Sequence, residues 1–189
     1  MDLTPFPASV RALLRPEHLP ELGPGRPNAP ARSALEAMTA ESLFGSKVVR
    51  HPELVQCCQA GLWLLHDFFD ESHAISQDIE TPEGSYWHGI LHRREPDYGN
   101  AAYWFRRVRN HAVFATLRTV AATLAQEAGT PAGGEFLTRQ SAWDPFAFID
   151  LCQSVASGRT PCELLCRKIQ RAEWDALFTY CYEQATTSL

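Results

Sequence analysis

Ser85-Tyr86-Trp87-His88-Gly89-Ile90-Leu91-His92-Arg93-Arg94-Glu95-Pro96-Asp97-Tyr98-Gly99-Asn100-Ala101-Ala102-Tyr103-Trp104-Phe105-Arg106-Arg107 is the stretch on which the rest of the chain turns. Two histidines, four arginines, two acids and two glycines are interleaved with aromatic residues instead of being set apart from them. An amphipathic surface helix keeps its apolar and polar stripes separate. The mixture here suits a polar site walled by aromatic rings. Its punctuation predicts helices: Tyr86 to Arg94, stopped by Pro96, then a loop at Asp97-Tyr98-Gly99, then Ala101 to Arg109, capped by Asn100.

The flanks extend this pattern. Thr81-Pro82-Glu83-Gly84 reads as a turn. Before it, His51-Pro52-Glu53 opens a helix expected to run to about residue 78, with proline tolerated in the first turn. Leu54, Cys58, Gly61, Leu65 and Phe68 recur at three- and four-residue steps, as a buried stripe does, and Gly61 leaves room for a close helix neighbour. Ser33 with Glu36 has the capping-box pattern and predicts a helix over Ala34 to Phe44, ended by Gly45. Downstream, helices are expected from His111 to Gln126, from Asp144-Pro145 to about Ala156, and from Thr160-Pro161 to about Ala185.

No run alternates with period two, no hairpin dipeptide occurs, and no repeat of 20 to 50 residues is present. The expected architecture is all-α: a single compact domain of six or seven helices over 32–189. Residues 1–31 form an extended arm, because Pro16, Pro20, Pro24, Pro27 and Pro30 block helix continuation. The arm is expected to lie on the body through Phe6, Leu13, Leu14 and Leu22.

A chain of 189 residues can bury a substantial core. Its net charge of −5 argues against a nucleic-acid partner, which leaves a basic footprint. The local arginine cluster at 93, 94, 106, 107 and 109 still permits a small anion site. No apolar run is long enough for a bilayer, and the N-terminus has no basic region followed by an apolar one, so no membrane association is expected. Cys57, Cys58, Cys152, Cys162, Cys166 and Cys181 fall inside helical patterns. They read as reduced, buried thiols of a cytoplasmic protein, against the alternative of a secreted disulfide framework.

Several groups in the central stretch carry potential chemistry. His88 and His92, four apart, share a helix face as metal-binding pairs do. Gly89 stands where a zinc protease has its glutamate, so no protease is implied. His66, Asp70, His73 and Gln77 fall at steps of four, three and four and are expected to align on one helix face, which makes His73 a third candidate ligand. Glu95 and Asp97, on a rigid loop around Pro96, are candidate general bases or partners of Arg93, Arg94, Arg106 and Arg107. Tyr86, Trp87, Tyr98 and Trp104 can line a pocket, with Arg93, Arg94 and His73 contacting its ligand. Aromatics fill cores equally well. His111 is placed to cap the arginine-rich helix at its C-terminal end.

The run from Gly84 to Ala101, continued by Tyr103-Trp104-Phe105-Arg106-Arg107-Val108, resembles the signature of an uncharacterised family of bacterial and fungal proteins. The similarity extends to His73 and to Trp143-Asp144-Pro145-Phe146. This chain has Arg109 and Ala112 where the pattern would have Gly and Pro. The resemblance implies no activity, substrate or cofactor.

Two readings follow. In one, His88, His92 and His73 hold a divalent metal such as zinc, Glu95 or Asp97 serves as base, and a small molecule is hydrolysed or cleaved. In the other, the stretch is a structural lock of ion pairs and buried imidazoles in a non-enzymatic binding or scaffold module. The oligomeric state is left open by either.

Overall fold

A computed structural model describes residues 1–187. In chain order the helices are α1 (Ala8–Arg11), α2 (Arg32–Glu36), α3 (Ala40–Phe44), α4 (Pro52–Leu65), α5 (Phe69–Ser76), α6 (Pro82–Arg94), α7 (Tyr98–Val108), α8 (Val113–Glu127), α9 (Phe136–Arg139), α10 (Pro145–Ala156) and α11 (Glu163–Gln184). No strand occurs among the described residues. The all-α expectation holds, with eleven α-helices among the described residues in place of six or seven.

Two expected helices are each split in two. Thr39 supplies an unforeseen capping box with Ser42, so the helix expected over Ala34 to Phe44 becomes α2 and α3, and Gly45 at φ 61° ends the second. The helix expected to reach residue 78 breaks after Leu65, where Asp67 turns into the left-handed region at φ 61°. Four contacts hold that break. His66 is bonded at Nδ1 to Asn28 Nδ2 (2.8 Å) and at Nε2 to the Leu13 carbonyl (2.8 Å). Asp67 Oδ1 accepts from Arg94 Nη2 at 2.6 Å, and Gly25 packs so closely on Asp67 that a Cβ there would lie 2.7 Å from Cγ. Local helix propensity gives way to tertiary partners.

Other boundaries shift for local reasons. Thr81 caps α6 by accepting from the Gly84 amide, so Pro82 is the first residue of the helix and not part of a turn. Asp97, not Asn100, caps α7: its Oδ1 accepts from the Asn100 amide at 3.1 Å. Asp144 caps α10 as expected, accepting from the Phe146 and Ala147 amides. His111 serves the start of α8, accepting from the Val113 amide, and not the end of the preceding helix.

The core centres on α4 and α11, with α8, α10 and the N-terminal segment around them. Gly61 permits a close approach of two tryptophans. Its carbonyl accepts from Trp174 Nε1 at 2.8 Å, and a Cβ on it would lie 2.7 Å from the Trp87 ring. Helices α6 and α7 pack antiparallel across Gly89, where Phe105 occupies the space of the missing side chain. Phe6, Leu13 and Leu14 are buried and Leu22 packs against the core. The segment from Leu14 to Gly23 is held by arginines that donate to its carbonyls: Arg171 to Leu14, Arg15 and His18, Arg167 to Leu19 and Pro20, and Arg94 to Glu21 and Gly23. All six cysteines are buried and free. No helix is long and apolar enough to cross a membrane among the described residues.

Candidate metal centre

The central stretch divides along α6. Consecutive helical residues point about 100° apart, so Arg93 and Arg94 leave the face that carries His88 and His92. Arg93 is 1% exposed and binds Glu173 Oε2 at 2.5 Å, while Tyr86 donates its hydroxyl to Oε1 of the same carboxylate at 3.1 Å. Arg94, 2% exposed, spans Asp67, the Leu64 carbonyl and the N-terminal segment. Both arginines, expected at a ligand, are sealed among protein partners. Tyr86 and Trp87 are core residues, Trp87 packed on Trp174 and Gly61. Tyr98 opens α7 and packs against the core, half-buried.

The histidines do converge. His73 from α5 meets His88 and His92 from α6, and one nitrogen of each lies within 4.8 Å of the others. Ring centroids are 4.5 Å apart for His73–His88, 4.6 Å for His88–His92 and 5.4 Å for His73–His92. His66, on the far side of the helix break, is not among them. Trp104 of α7 lies against His88 with 4.2 Å between ring centroids.

Two of the rings are oriented by partners outside the cluster. His88 Nδ1 is 2.9 Å from Ser76 Oγ. The Ser76 hydroxyl hydrogen has the His73 carbonyl within 3.5 Å, which leaves Oγ to accept from Nδ1–H and the His88 Nε2 lone pair free. His92 Nδ1 faces Glu95 Oε2 at 3.0 Å, so a carboxylate acceptor fixes the proton on Nδ1 and again frees Nε2. Asn100 Nδ2 is 3.0 Å from Nε2 and 3.5 Å from Nδ1 of the same ring. An amide on the Nε2 lone pair would lie far from Nδ1, so it packs on the ring face and does not block that lone pair.

Burial, together with the neighbouring His92 and His73, pushes His88 down to about 3. Burial also lowers His92, against the opposing pull of Glu95. Both rings are therefore neutral near pH 7, the state in which imidazole ligates. Beside His73, a groove of about 350 Å³ lined by Asp70, His73, Ala74, Gln77 and Glu95 opens to solvent. Asp97, expected as a base, is exposed and engaged as the α7 cap. Ser76 was missed in the sequence, although it follows His73 by one helical turn. Asp70 was recognised as a neighbour of His73 and does share its groove.

No family model matches this chain, and no curated protein or solved structure does either.

Proposed function

We propose that His73, His88 and His92 form a three-histidine site for a divalent transition metal, with zinc the best fit, and that the site supports metal-assisted hydrolysis of a small molecule. The observation that carries this reading is the convergence of three imidazole nitrogens from two helices, beside Ser76 on His88 Nδ1 and Glu95 on His92 Nδ1. Structural zinc sites are closed by four protein ligands, whereas catalytic ones have three and leave a position for water or substrate. Tetrahedral zinc with bonds near 2.0–2.1 Å needs ligand nitrogens about 3.3 Å apart, a tightening that side-chain torsions supply. Held by three neutral ligands, a divalent metal would keep its full charge and would supply an acidified water as nucleophile near neutral pH. Glu95 orients His92, and Asp70, which lines the groove with His73, would be the carboxylate placed to take up a proton there.

The second reading, a structural lock without chemistry, is favoured by the arginine half of the stretch, where Arg93–Glu173 and Arg94–Asp67 are buried ion pairs. Elemental analysis after loading with zinc and exhaustive dialysis separates the two. One zinc per chain in the wild type, lost in His73→Ala, supports the metal centre. His73 is half-buried and has no side-chain hydrogen bond among the described residues, so its removal tests ligation without breaking the fold. No retained zinc in a folded wild type leaves the lock.

A further inference from the structure

Trp104 touches a second group besides His88. The Arg107 guanidinium carbon lies 5.2 Å from its ring centroid. Arg107 belongs to a separate hollow of about 600 Å³, lined by Arg106, Arg107 and Arg109 at the end of α7, by Tyr103, and by Ser85 on α6, with Glu80 as its one acid. Ser85 precedes His88 by three residues, a rise of about 4.5 Å along the helix. Ser85, His88 and His92 share one face of α6, which puts the hollow and the histidine cluster on the same side of that helix.

Three observations mark this hollow as a built site. None of its three arginines is paired with a carboxylate among the described residues, in contrast to Arg93 and Arg94. Ser85, 2% exposed as a residue, lines the hollow, and its hydroxyl is not engaged by another side chain among the described residues. A serine hydroxyl in that position can donate to an incoming oxygen. Arg109 is held at φ 59° and ψ −122°, a backbone state that suits glycine, and such strain in a non-glycine residue clusters at ligand sites.

We propose that this hollow binds the phosphoryl group of a phosphorylated small molecule whose reacting bond reaches the three-histidine centre. Arginine forks match phosphate geometry bidentately. Three guanidiniums against one carboxylate balance a dianion better than the single charge of a carboxylate ligand. The anion subsite stands on the hollow itself. The assignment of substrate class rests on the metal reading above.

Calorimetric titration of the chelator-treated protein with inorganic phosphate at fixed low ionic strength tests the subsite. One phosphate is expected per chain, with affinity at least tenfold weaker in the Arg106→Gln/Arg107→Gln double variant, severalfold weaker in Ser85→Ala, and unchanged in His73→Ala and in the distant, exposed Arg159→Gln. Arg109→Gly separates binding from folding, because it is expected to raise the melting temperature while weakening phosphate binding. Acetate is expected to bind at least tenfold more weakly than phosphate. The subsite is overturned if phosphate does not bind, if Arg159→Gln weakens it as much as the double variant, or if acetate binds equally well. Phosphate binding of the expected kind without zinc retention would leave the subsite standing and remove the metal centre. Zinc retention without arginine-dependent phosphate binding would do the reverse.

Discussion

Ser76 Oγ and His88 Nδ1 lie 2.9 Å apart across the α5–α6 interface, and this contact decides which nitrogen of a buried imidazole is available. Partners of this kind are worth about 10- to 100-fold in metal affinity. Ser76→Ala is therefore expected to weaken zinc binding by that factor while leaving all three histidines in place. Competition titration against a chromophoric chelator measures it. Unchanged affinity would mean that His88 is not a ligand through Nε2.

Glu95 holds His92 in the same way from the other side. Glu95→Gln replaces a carboxylate acceptor by an amide and is expected to weaken zinc binding about tenfold. The cost to folding should be small, since Glu95 is only partly buried. Zinc affinity and urea midpoint, measured on the same variant, check the two halves of this expectation.

The Arg93–Glu173 pair is buried on both sides. Glu173→Gln leaves the guanidinium charged in the interior, with Nε and Nη1 already lacking partners, and is expected to cost about 3–5 kcal/mol. Replacing the set together, as Tyr86→Phe/Arg93→Met/Glu173→Leu, removes the uncompensated charge and should recover most of that loss. Urea unfolding of both variants provides the comparison. A triple variant no more stable than Glu173→Gln would show that the pair contributes more than its mutual compensation.

Gly61 packs against two tryptophans. Gly61→Ala would place a Cβ 2.7 Å from the Trp87 ring, itself wedged against Trp174. Overpacking of this kind costs about 1–3 kcal/mol, and a lowered urea midpoint with an unchanged slope is expected.

Two histidines make the N-terminal segment sensitive to acid. Burial lowers His66, and burial together with Arg15 lowers His18 to about 4. Their folded values lie below the unfolded one near 6.5, so the unfolded chain binds more protons and the native state loses stability as pH falls below about 6.5. The loss is expected to continue toward pH 4, with cleavage near Arg15 by a protease appearing before global unfolding. His66→Gln should be less stable at pH 7.5 and show a shallower dependence between pH 7.5 and 5. An unchanged slope would assign the acid sensitivity to His18, His88 and His92 alone.

The helical class was legible because its signals are local. Asp144 caps its helix by bonding amides two or three residues away, as expected, and Gly45 and the prolines end or open helices through their own torsions; Thr39, Thr81 and Asp97 act over the same short range but were passed over for Ser33, a turn and Asn100. The break after Leu65 was misread because distant partners overrode such signals. The turn at Asp67 is held by Arg94 and Gly25; the segment Leu14 to Gly23, expected to be extended, is held by arginines of α6 and α11 that spacing could not pair with it. The i, i+4 spacing of His88 and His92 put two rings on one face, but neither His73's approach nor Ser76's hydroxyl could be read from spacing.

The amino-acid order alone determined an all-helical chain, a buried stripe through Gly61, and a central segment mixing imidazoles, guanidiniums and aromatic rings. Only the tertiary structure decided that Arg93 and Arg94 turn into the interior while His88 and His92 face His73. The physical reason is range. Caps and helix periodicity act within one or two turns, whereas a buried charge or an imidazole lone pair takes its role from whichever group packing brings beside it.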